Sequence, residues 1–278
     1  MLRFFEENNI SLQLSDLTII EQHESGKSMI ELYRHKLLGK VLVINNEIQH
    51  IEAWQPLYHE LVVHIPVSFI PEIRQVLILG GGSFFAAREV LKYDSVERVV
   101  MVDYDGDVIS IIKNNYDHVA PIISNKKFTL VAADINDFLK ENRIKFDLIL
   151  NDAVDLLEYG NDMYAKLGSQ LTPNGVCSDV VYRHIFEGEK CQRTIIQLQK
   201  KYNCAFSLIA IPEYPGIFHL LSMWSTNSTV SQVAKTITNE IQKGWLANKN
   251  CPCELFNPSF LNYYLYLPPY LKRWISIN

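Results

Sequence analysis

The chain has 278 residues, of which 48% are hydrophobic and 21% charged, and its formal net charge is −5 at pH 7. This composition is typical of one large globular domain, or of one domain with a small appendage. The acidic balance argues against a basic surface for nucleic acid. No apolar run approaches the roughly 18 residues of a membrane span, and the N-terminal stretch has no apolar core of signal-peptide length. We therefore expect a cytoplasmic protein that binds neither nucleic acid nor membranes.

The five cysteines give little support for a metal site. They stand at positions 177, 191, 204, 251 and 253, and the last two form the only close pair. No second pair stands at the spacing of a zinc site. We expect no metal, and reduced thiols in a reducing compartment.

Residues 1–56 read as a small antiparallel β domain. Apolar residues occupy alternate positions in SLQLSDLTIIEQHES and SMIELYRHKLLGKVLVINNEIQHIE, and Asn45-Asn46 supplies turn chemistry between two short runs. From PLYHELVVHIPVSFI the apolar period lengthens to that of a helix.

Residues 57–278 read as a Rossmann-like α/β domain. After Pro71, segments typical of strands alternate with segments typical of helices, which predicts right-handed crossovers and a largely parallel sheet. The apolar run QVLILGGG is that of a strand covered on both faces. The remaining segments, in chain order, are FAAREVLKY, VERVVMVDYD, DVISIIKNNY, FTLVAAD, INDFLKEN, FDLILNDAVD, GVCSDVVY, EKCQRTIIQLQKKY and CAFSLIAIPEY.

A glycine loop and an acidic residue favour a nucleoside site. Gly80, Gly81 and Gly82 follow a strand and precede a helix, where backbone N–H groups can approach an anionic or polar ligand. A tight turn is the alternative. Asp103 ends the next predicted strand, about twenty residues further on, where a carboxylate accepts hydrogen bonds from ribose hydroxyls. A helix N-cap is its alternative, a role open equally to the neighbouring Asp105 or Asp107.

Three further aspartates follow later strands. Asp134 comes after the third strand, near the expected place of an adenine amino group. Asp152 and Asp155 flank the end of the fourth strand. Two carboxylates in one pocket suit binding and deprotonation of a cationic amine; solvated turn residues are the alternative.

With these motifs in place, the chain resembles the spermidine synthase (polyamine aminopropyltransferase) family over nearly its whole length. The resemblance implies a class I S-adenosylmethionine-dependent transferase fold with a small N-terminal β domain, and a homodimer. It is carried by the ordered segments GKVLVINNEIQ, PLYHELVVHIPV, VLILGGG, AAREVLKYDSVERVVMVDYD, FDLILNDAVD, IPEYPG and LFNPSFLNYYLYLPPYLKRW.

The resemblance also implies roles for individual residues. Asp152 would be the acid–base residue, and no metal would be needed because a sulfonium leaving group is already activated. S-adenosylmethionine or its decarboxylated form would be the co-substrate, releasing methylthioadenosine. The donor would be held by Gln49, Gly80, Gly81, Gly82, Ser83, Asp103 and Asp134, and the acceptor pocket would be lined by Tyr58, His59, Asp155 and Tyr214.

The loop departs from the family pattern directly after the glycines. The family has an aspartate that helps hold the donor's ammonium, followed by glycine, whereas this chain has Ser83, Phe84 and Phe85. Losing a carboxylate removes repulsion against a donor carboxylate. We therefore expect tolerance of, or preference for, S-adenosylmethionine and transfer of a 3-amino-3-carboxypropyl group. The competing interpretation keeps 3-aminopropyl transfer, with Glu213 or Asp155 compensating for Ser83.

The acceptor and the reaction class stay open at this point. If Arg183 and His184 point inward, a nucleotide-like or anionic acceptor fits. If they face solvent, a diamine is one candidate among several, and the tailoring of a specialised metabolite is another. The sequence is also compatible with a methyltransferase on the same scaffold, or with a catalytically silent interaction module. A dehydrogenase is set aside because Phe84 and Phe85 fill the space that a pyrophosphate needs.

Overall fold

A computed structural model of the chain describes residues 2–5, 11–24, 26, 28–153, 156, 162–183, 188–214, 218–227, 230 and 252–272. Asp155 and His184 lie outside these residues. None of the helices in the described part is long and apolar enough to cross a membrane.

The N-terminal part consists of antiparallel sheets, as the alternation predicts. One hairpin pairs β1 with β2, and β3 to β6 form a four-stranded sheet in chain order. Asn45 and Asn46 connect β5 to β6 with φ of 51° and 67°, left-handed values that asparagine tolerates in a hairpin turn. The strands are β1 (Leu2–Phe5), β2 (Ser11–Leu14), β3 (Thr18–Glu24), β4 (Met29–His35), β5 (Gly39–Ile44) and β6 (Glu47–Ile51).

The second part is the predicted Rossmann-like unit. Its seven-stranded sheet has the order β12-β13-β11-β10-β7-β8-β9. The five strands from β11 to β9 in this order are parallel, and β13 runs antiparallel to both neighbours. The strands are β7 (Gln75–Gly80), β8 (Arg98–Asp103), β9 (Phe128–Ala132), β10 (Phe146–Asp152), β11 (Leu171–Arg183), β12 (Asn203–Ala210) and β13 (Phe218–Ser225).

Helices cover this sheet, and most of them begin where the amphipathic pattern predicts. The sequence did not indicate β13 or the short helices Val119–Ile123, Met163–Gln170, Leu261–Tyr264 and Pro269–Lys272. The helices are α1 (Gln55–Val67), α2 (Phe85–Val90), α3 (Gly106–Asn115), α4 (Val119–Ile123), α5 (Ile135–Glu141), α6 (Met163–Gln170), α7 (Gly188–Lys201), α8 (Leu261–Tyr264) and α9 (Pro269–Lys272).

The two parts share one hydrophobic core. Ile30, Leu32 and Leu42 of the four-stranded sheet belong to the same buried cluster as Ile65 of α1 and Val76 of β7. A second cluster covers the other face of the seven-stranded sheet. Burial of an aliphatic side chain contributes about 1.5–3 kcal/mol, so this shared cluster fixes the four-stranded sheet against the α/β unit.

A buried polar network ties α1 to α2. His64 Nε2 lies 3.0 Å from Glu89 Oε2, and His64 Nδ1 lies 2.8 Å from the Tyr93 hydroxyl. Arg88 and Lys92 also bind the Glu89 carboxylate. Burial works to raise the pKa of Glu89, but hydrogen bonds from His64 and Lys92 outweigh it and hold the pKa at about 2. Glu89 is therefore a charged, fully paired structural carboxylate.

Glu60 of α1 anchors the C-terminal segment. Its side chain is 1% exposed. It accepts hydrogen bonds from the backbone N–H groups of Glu254, Leu255 and Phe256 at 2.7, 2.8 and 2.7 Å. Charge-assisted bonds of this kind are roughly twice as strong as neutral ones, so α1 positions both the core and the chain's last described segment.

Candidate active site

Polar groups lie in a row along one edge of the seven-stranded sheet. The strand order β10-β7-β8-β9 brings the carboxyl ends of four neighbouring strands side by side. At or just beyond these ends lie Asp152, Gly80, Asp103 and Asp134. The chain order reverses between β7 and β10, and open α/β sheets bind ligands at such a point. Neighbouring strands are about 4.8 Å apart, so the row spans about 14 Å. The edge thus offers a site for an elongated ligand.

The glycine loop requires glycine for two geometric reasons. Gly80 and Gly81 have φ of 76° and 81°, values that favour glycine. A Cβ on Gly80 would lie 2.7 Å from the carbonyl oxygen of Asp152. The N–H of Gly81 donates to that same oxygen at 3.2 Å. The loop is therefore held directly against the end of β10.

Phe84 is buried in the core. It has φ of 64° and is 0% exposed. Its ring lies 5.9 Å from that of Phe128. Phe128 is the first residue of β9, so it lies at the amino ends of the parallel strands, whereas the row of carboxylates lies at their carboxyl ends. A bulky residue in the left-handed region costs about 1–3 kcal/mol, which the burial of the ring offsets. The Phe84 ring therefore packs beneath the loop and does not lie across the row.

Phe85 lies among three imidazole rings. It is 2% exposed, stacks on His118 at 4.3 Å, and contacts His50 at 5.3 Å and His59 at 5.1 Å. Burial lowers the pKa of His50 and of His59 to about 3, and it also lowers the pKa of His118. All three imidazoles are therefore neutral near pH 7, and the Phe85 ring packs against His59.

Asp152 has the ionisation expected of an acid–base group. Its side chain is 10% exposed at the end of β10. Its pKa is raised to about 7: burial is the main cause, a hydrogen bond with Tyr58 opposes the rise, and the charge of Asp103 adds to it. Burial also raises the pKa of Tyr58 well above its ordinary value, so the phenol is the donor of that bond. A carboxyl group with a pKa near 7 exchanges its proton readily at neutral pH.

His59 presents an acceptor to Asp152. Its Nδ1 lies 3.2 Å from the carbonyl oxygen of Gln55, so Nδ1 carries the proton and Nε2 keeps a free lone pair. Nε2 lies 3.9 Å from Asp152 Oδ2. Two charged groups at this distance would form an ion pair, but the imidazole is neutral because its pKa is about 3. Two acceptors 3.9 Å apart leave a place for a donor that bonds to both.

Asp103 is a half-buried carboxylate next to the glycine loop. Burial raises its pKa, and backbone N–H groups of Asp105 and Gly82 oppose the rise. The N–H of Asp105 donates to it at 2.9 Å. The N-cap of α3 is Asp105, whose carboxylate accepts from Val108 N–H at 3.0 Å. The helix-cap alternative therefore applies to Asp105 and not to Asp103.

Asp134 and Gln49 take less direct positions. Asp134 is exposed, and its Oδ1 accepts from the N–H of Asn136 at 2.8 Å as the N-cap of α5. Gln49 is exposed on β6 and donates to the carbonyl oxygen of Glu47 at 3.3 Å. Its strand neighbour His50 is buried against Phe85, so Gln49 faces the opposite side of the strand. Neither residue is hydrogen-bonded to the other carboxylates within the described ranges.

The acceptor side is described in part. Tyr214 is half-buried, 5.5 Å from the ring of His219, and it raises the pKa of Tyr58 electrostatically. Arg183 is the last residue of β11, and its side chain lies outside the part of the chain that the structure describes. Glu213 is 4% exposed and accepts from the N–H of Ile51 at 3.1 Å. Among the described hydrogen bonds none joins Glu213 to Ser83.

A buried carboxylate that the sequence analysis did not single out lies behind the site. Asp179 of β11 is 2% exposed and accepts from Asn151 Nδ2 at 2.7 Å and from the Tyr164 hydroxyl at 3.0 Å. Its charge also acts on Tyr58. An aspartate inside the apolar strand run GVCSDVVY was the available signal, because charged residues are almost never buried without partners.

Comparison with known proteins identifies the family. The family model for the spermine/spermidine synthase domain matches residues 55–234. A polyamine aminopropyltransferase of Buchnera aphidicola is 26% identical over 258 residues, 89% of this chain and 87% of that protein. One from Ruegeria sp. is 28% identical over 274 residues, 95% and 93% of the two chains. A thermospermine synthase of Arabidopsis thaliana is 35% identical over 167 residues, which cover 57% of this chain and about half, 49%, of that protein.

Solved structures agree in fold. A crystal structure of spermidine synthase from Thermotoga maritima superposes with a TM-score of 0.82 at 20% identity, covering 99% of this chain and 93% of that one. A spermidine synthase in complex with the transition state analogue AdoDATO gives 0.83 at 20% identity, with 99% and 94% covered. The expected fold is thus confirmed. The family model and the curated relatives confirm the expected enzyme class, and they do not support a catalytically silent module. The chain belongs to the spermine/spermidine synthase family and is an enzyme of the aminopropyltransferase type.

Proposed function

We propose that the protein transfers the 3-aminopropyl group of decarboxylated S-adenosylmethionine to an amine, with Asp152 as the general base. The observation that carries the proposal is the buried Asp152 carboxyl group, whose pKa is about 7 beside Tyr58 and His59. Aminopropyl transfer consumes one nucleophilic amine and releases methylthioadenosine. The relatives that are named polyamine aminopropyltransferases support an amine acceptor.

The acceptor amine fits between Asp152 and His59. An amine reaches the site mostly as an ammonium, which cannot attack until it loses a proton. An N–H donor between Asp152 Oδ2 and His59 Nε2, which are 3.9 Å apart, can bond to both acceptors. Tyr58 holds the carboxylate by its hydrogen bond. Asp152 first takes one proton from the ammonium, and the freed nitrogen lone pair then attacks the methylene carbon. The carbon–sulfur bond breaks, sulfur leaves as a neutral thioether, and the product nitrogen is a secondary ammonium.

The donor fits the row from the glycine loop to Asp134. The Asp103 carboxylate lies close to the loop, since a Cβ on Gly82 would be 3.0 Å from Asp103 Oδ2. Its remaining lone pairs can accept from two ribose hydroxyls. Asp134 uses Oδ1 to cap α5, which leaves Oδ2 for an adenine amino group. The donor's sulfonium would then lie near Gly80 and Gly81, next to Asp152.

Mass spectrometry of a single reaction tests this proposal. Incubation with decarboxylated S-adenosylmethionine and a panel of diamines should yield methylthioadenosine and an amine heavier by one aminopropyl group. Asp152→Asn should lower kcat by about 10²- to 10⁴-fold while the protein remains folded. Formation of adenosylhomocysteine from S-adenosylmethionine would instead favour methyl transfer, and full activity of Asp152→Asn would remove this residue from the base role.

A second candidate is transfer of a 3-amino-3-carboxypropyl group from S-adenosylmethionine. Ser83 favours it, because this half-buried residue adds no negative charge beside the loop, so a donor carboxylate meets less repulsion. Calorimetry with the two donors separates the candidates. Tighter binding of the decarboxylated donor by tenfold or more would exclude the second candidate, and equal or reversed affinities would favour it.

A further inference from the structure

A cysteine, a histidine and a carboxylate form a cluster away from the candidate active site. A ring nitrogen of His64, a carboxylate oxygen of Glu89 and the sulfur of Cys253 all lie within 4.8 Å of one another. His64 and Glu89 are fully buried, whereas Cys253 is half-buried. Of the three side chains, that of Cys253 is therefore the one with surface open to solvent.

Two anchors in the backbone hold Cys253 beside His64. Directly before the cysteine, the carbonyl oxygen of Pro252 accepts a hydrogen bond from Lys92 Nζ at 2.8 Å. Directly after it, the N–H groups of the next three residues donate to the buried carboxylate of Glu60. The contacts that fix the C-terminal segment on α1 and α2 therefore also fix the position of the thiol.

His64 is suited to accept the proton of this thiol. Burial works to lower the pKa of His64, but hydrogen bonds with Cys253 and Glu89 outweigh it and raise the pKa above its ordinary value. His64 Nε2 lies 3.0 Å from Glu89 Oε2, so a protonated ring can donate to this carboxylate. A nucleophile, a base beside it and a third group that orients the base are the parts of an activated thiol.

The charges around the cluster favour a thiolate. Arg88 and Lys92 share the single carboxylate of Glu89. Among the described residues of the cluster, one negative charge thus stands against two positive ones, and a protonated His64 adds a third. Two further carboxylates nearby are either bound by backbone N–H groups or exposed to solvent, namely Glu60 and Glu254. Cationic neighbours stabilise the thiolate of Cys253, and the thiolate is the reactive form of cysteine.

The same positive charges make a metal ion a poorer occupant. Histidine, cysteine and glutamate are all ligands of zinc. A divalent cation would, however, have to displace Lys92 and His64 from Glu89 Oε2, and it would then lie close to Arg88 and to the displaced lysine. The cluster is better matched to an anionic sulfur than to a cation.

We propose that Cys253 is a nucleophilic thiol that hydrogen peroxide oxidises, with His64 as the group that takes its proton. The thiolate sulfur attacks one oxygen of the peroxide, so that a sulfur–oxygen bond forms and the oxygen–oxygen bond breaks. The second oxygen leaves as hydroxide, which the proton held by His64 converts to water. Sulfur is oxidised to a sulfenic acid, and the peroxide is reduced to water. This chemistry is independent of Asp152 and of the proposed transfer reaction.

Alkylation of the full-length protein by iodoacetamide at pH 6 and pH 8 tests the thiolate. Mass spectrometry gives the rate at each cysteine, and fragment ions separate Cys253 from Cys251, which lies on the same tryptic peptide. In the chain unfolded by urea, thiols with a pKa of about 8.5 should react about 75-fold faster at pH 8 than at pH 6. In the native protein the rate at Cys253 should change by less than about threefold. A native rate as steep in pH as that of the unfolded chain would overturn the proposal.

Lys92→Gln tests the cationic setting. Lys92 pairs with Glu89 three residues before it, and the matched control is Lys140→Gln, because the exposed Lys140 pairs with Asp137 at the same spacing. The first variant should slow native alkylation of Cys253 at pH 6 by about threefold or more, and the control should leave the rate unchanged. No effect of Lys92→Gln, or an equal effect of the control, would count against the proposal.

Trapping of the oxidised sulfur tests the reaction itself. The Cys251→Ser variant is used, because a sulfenic acid condenses with a neighbouring thiol. Hydrogen peroxide followed by dimedone, which traps sulfenic acids, should label Cys253 about tenfold more than Cys204. Cys204 is also half-buried, but burial raises its pKa to about 12. Equal labelling of the two cysteines, or none at Cys253, would refute the assignment.

Discussion

Asp152→Asn should make the protein more stable at pH 8. The carboxyl group has an ordinary pKa of 3.8 in the unfolded chain and a pKa of about 7 in the fold, with burial as the main cause. Between these values the folded state binds more protons than the unfolded state, so stability falls as pH rises. At 1.36 kcal/mol for each pKa unit, the rise corresponds to about 4 kcal/mol lost by pH 8. Asparagine carries no charge and escapes this loss.

Urea denaturation at pH 4 and pH 8 provides the assay, since the slope and midpoint yield the free energy of unfolding. The variant should gain up to about 4 kcal/mol over the wild type at pH 8 and almost nothing at pH 4. Asp137→Asn serves as control, because Asp137 is an exposed carboxylate on α5, and this variant should gain no stability at pH 8. A gain of equal size at both pH values would refute the reasoning, as would a variant less stable than the wild type at pH 8.

The remaining predictions concern the donor site, the buried network and the loop. Asp103→Asn should weaken binding of methylthioadenosine about tenfold or more, as measured by calorimetry; unchanged affinity would exclude Asp103 as the ribose ligand. Glu89→Gln should destabilise the fold by about 1–3 kcal/mol, because it removes the carboxylate that binds the buried His64 and the half-buried Arg88 and Lys92, and a loss below about 1 kcal/mol in urea denaturation would contradict this. Phe84→Gly and Phe84→Ala should both be destabilised, with alanine worse by about 1 kcal/mol because of the left-handed backbone; the opposite order would show that no strain is present there.

Much of the arrangement of the candidate site could be predicted from local sequence. The glycine loop, Asp103 and Asp152 all stand at the ends of apolar strand runs, and strand order alone brings such ends together. The sequence also predicts the turn at Asn45-Asn46 and the helix that contains Tyr58 and His59, because turn chemistry and helical periodicity are local signals.

The sequence did not predict how residues distant in the chain pack around the candidate site. Phe85 looked like an obstruction of the loop, but contacts with His50 and His118, far apart in the chain, place it behind the site. Such contacts arise from packing and have no periodic signature. The strand β13 was missed because its run FHLLSMWS is buried along nearly its whole length, and a short apolar run without alternation does not distinguish strand from helix.

A crystal structure with methylthioadenosine and a diamine bound is the most direct test of how this enzyme works. We expect the ribose hydroxyls on Asp103, and one amine nitrogen within hydrogen-bonding distance of both Asp152 Oδ2 and His59 Nε2. Nucleoside bound elsewhere on the molecule, or an amine that approaches neither Asp152 nor His59, would contradict the assignment of this edge of the sheet as the active site.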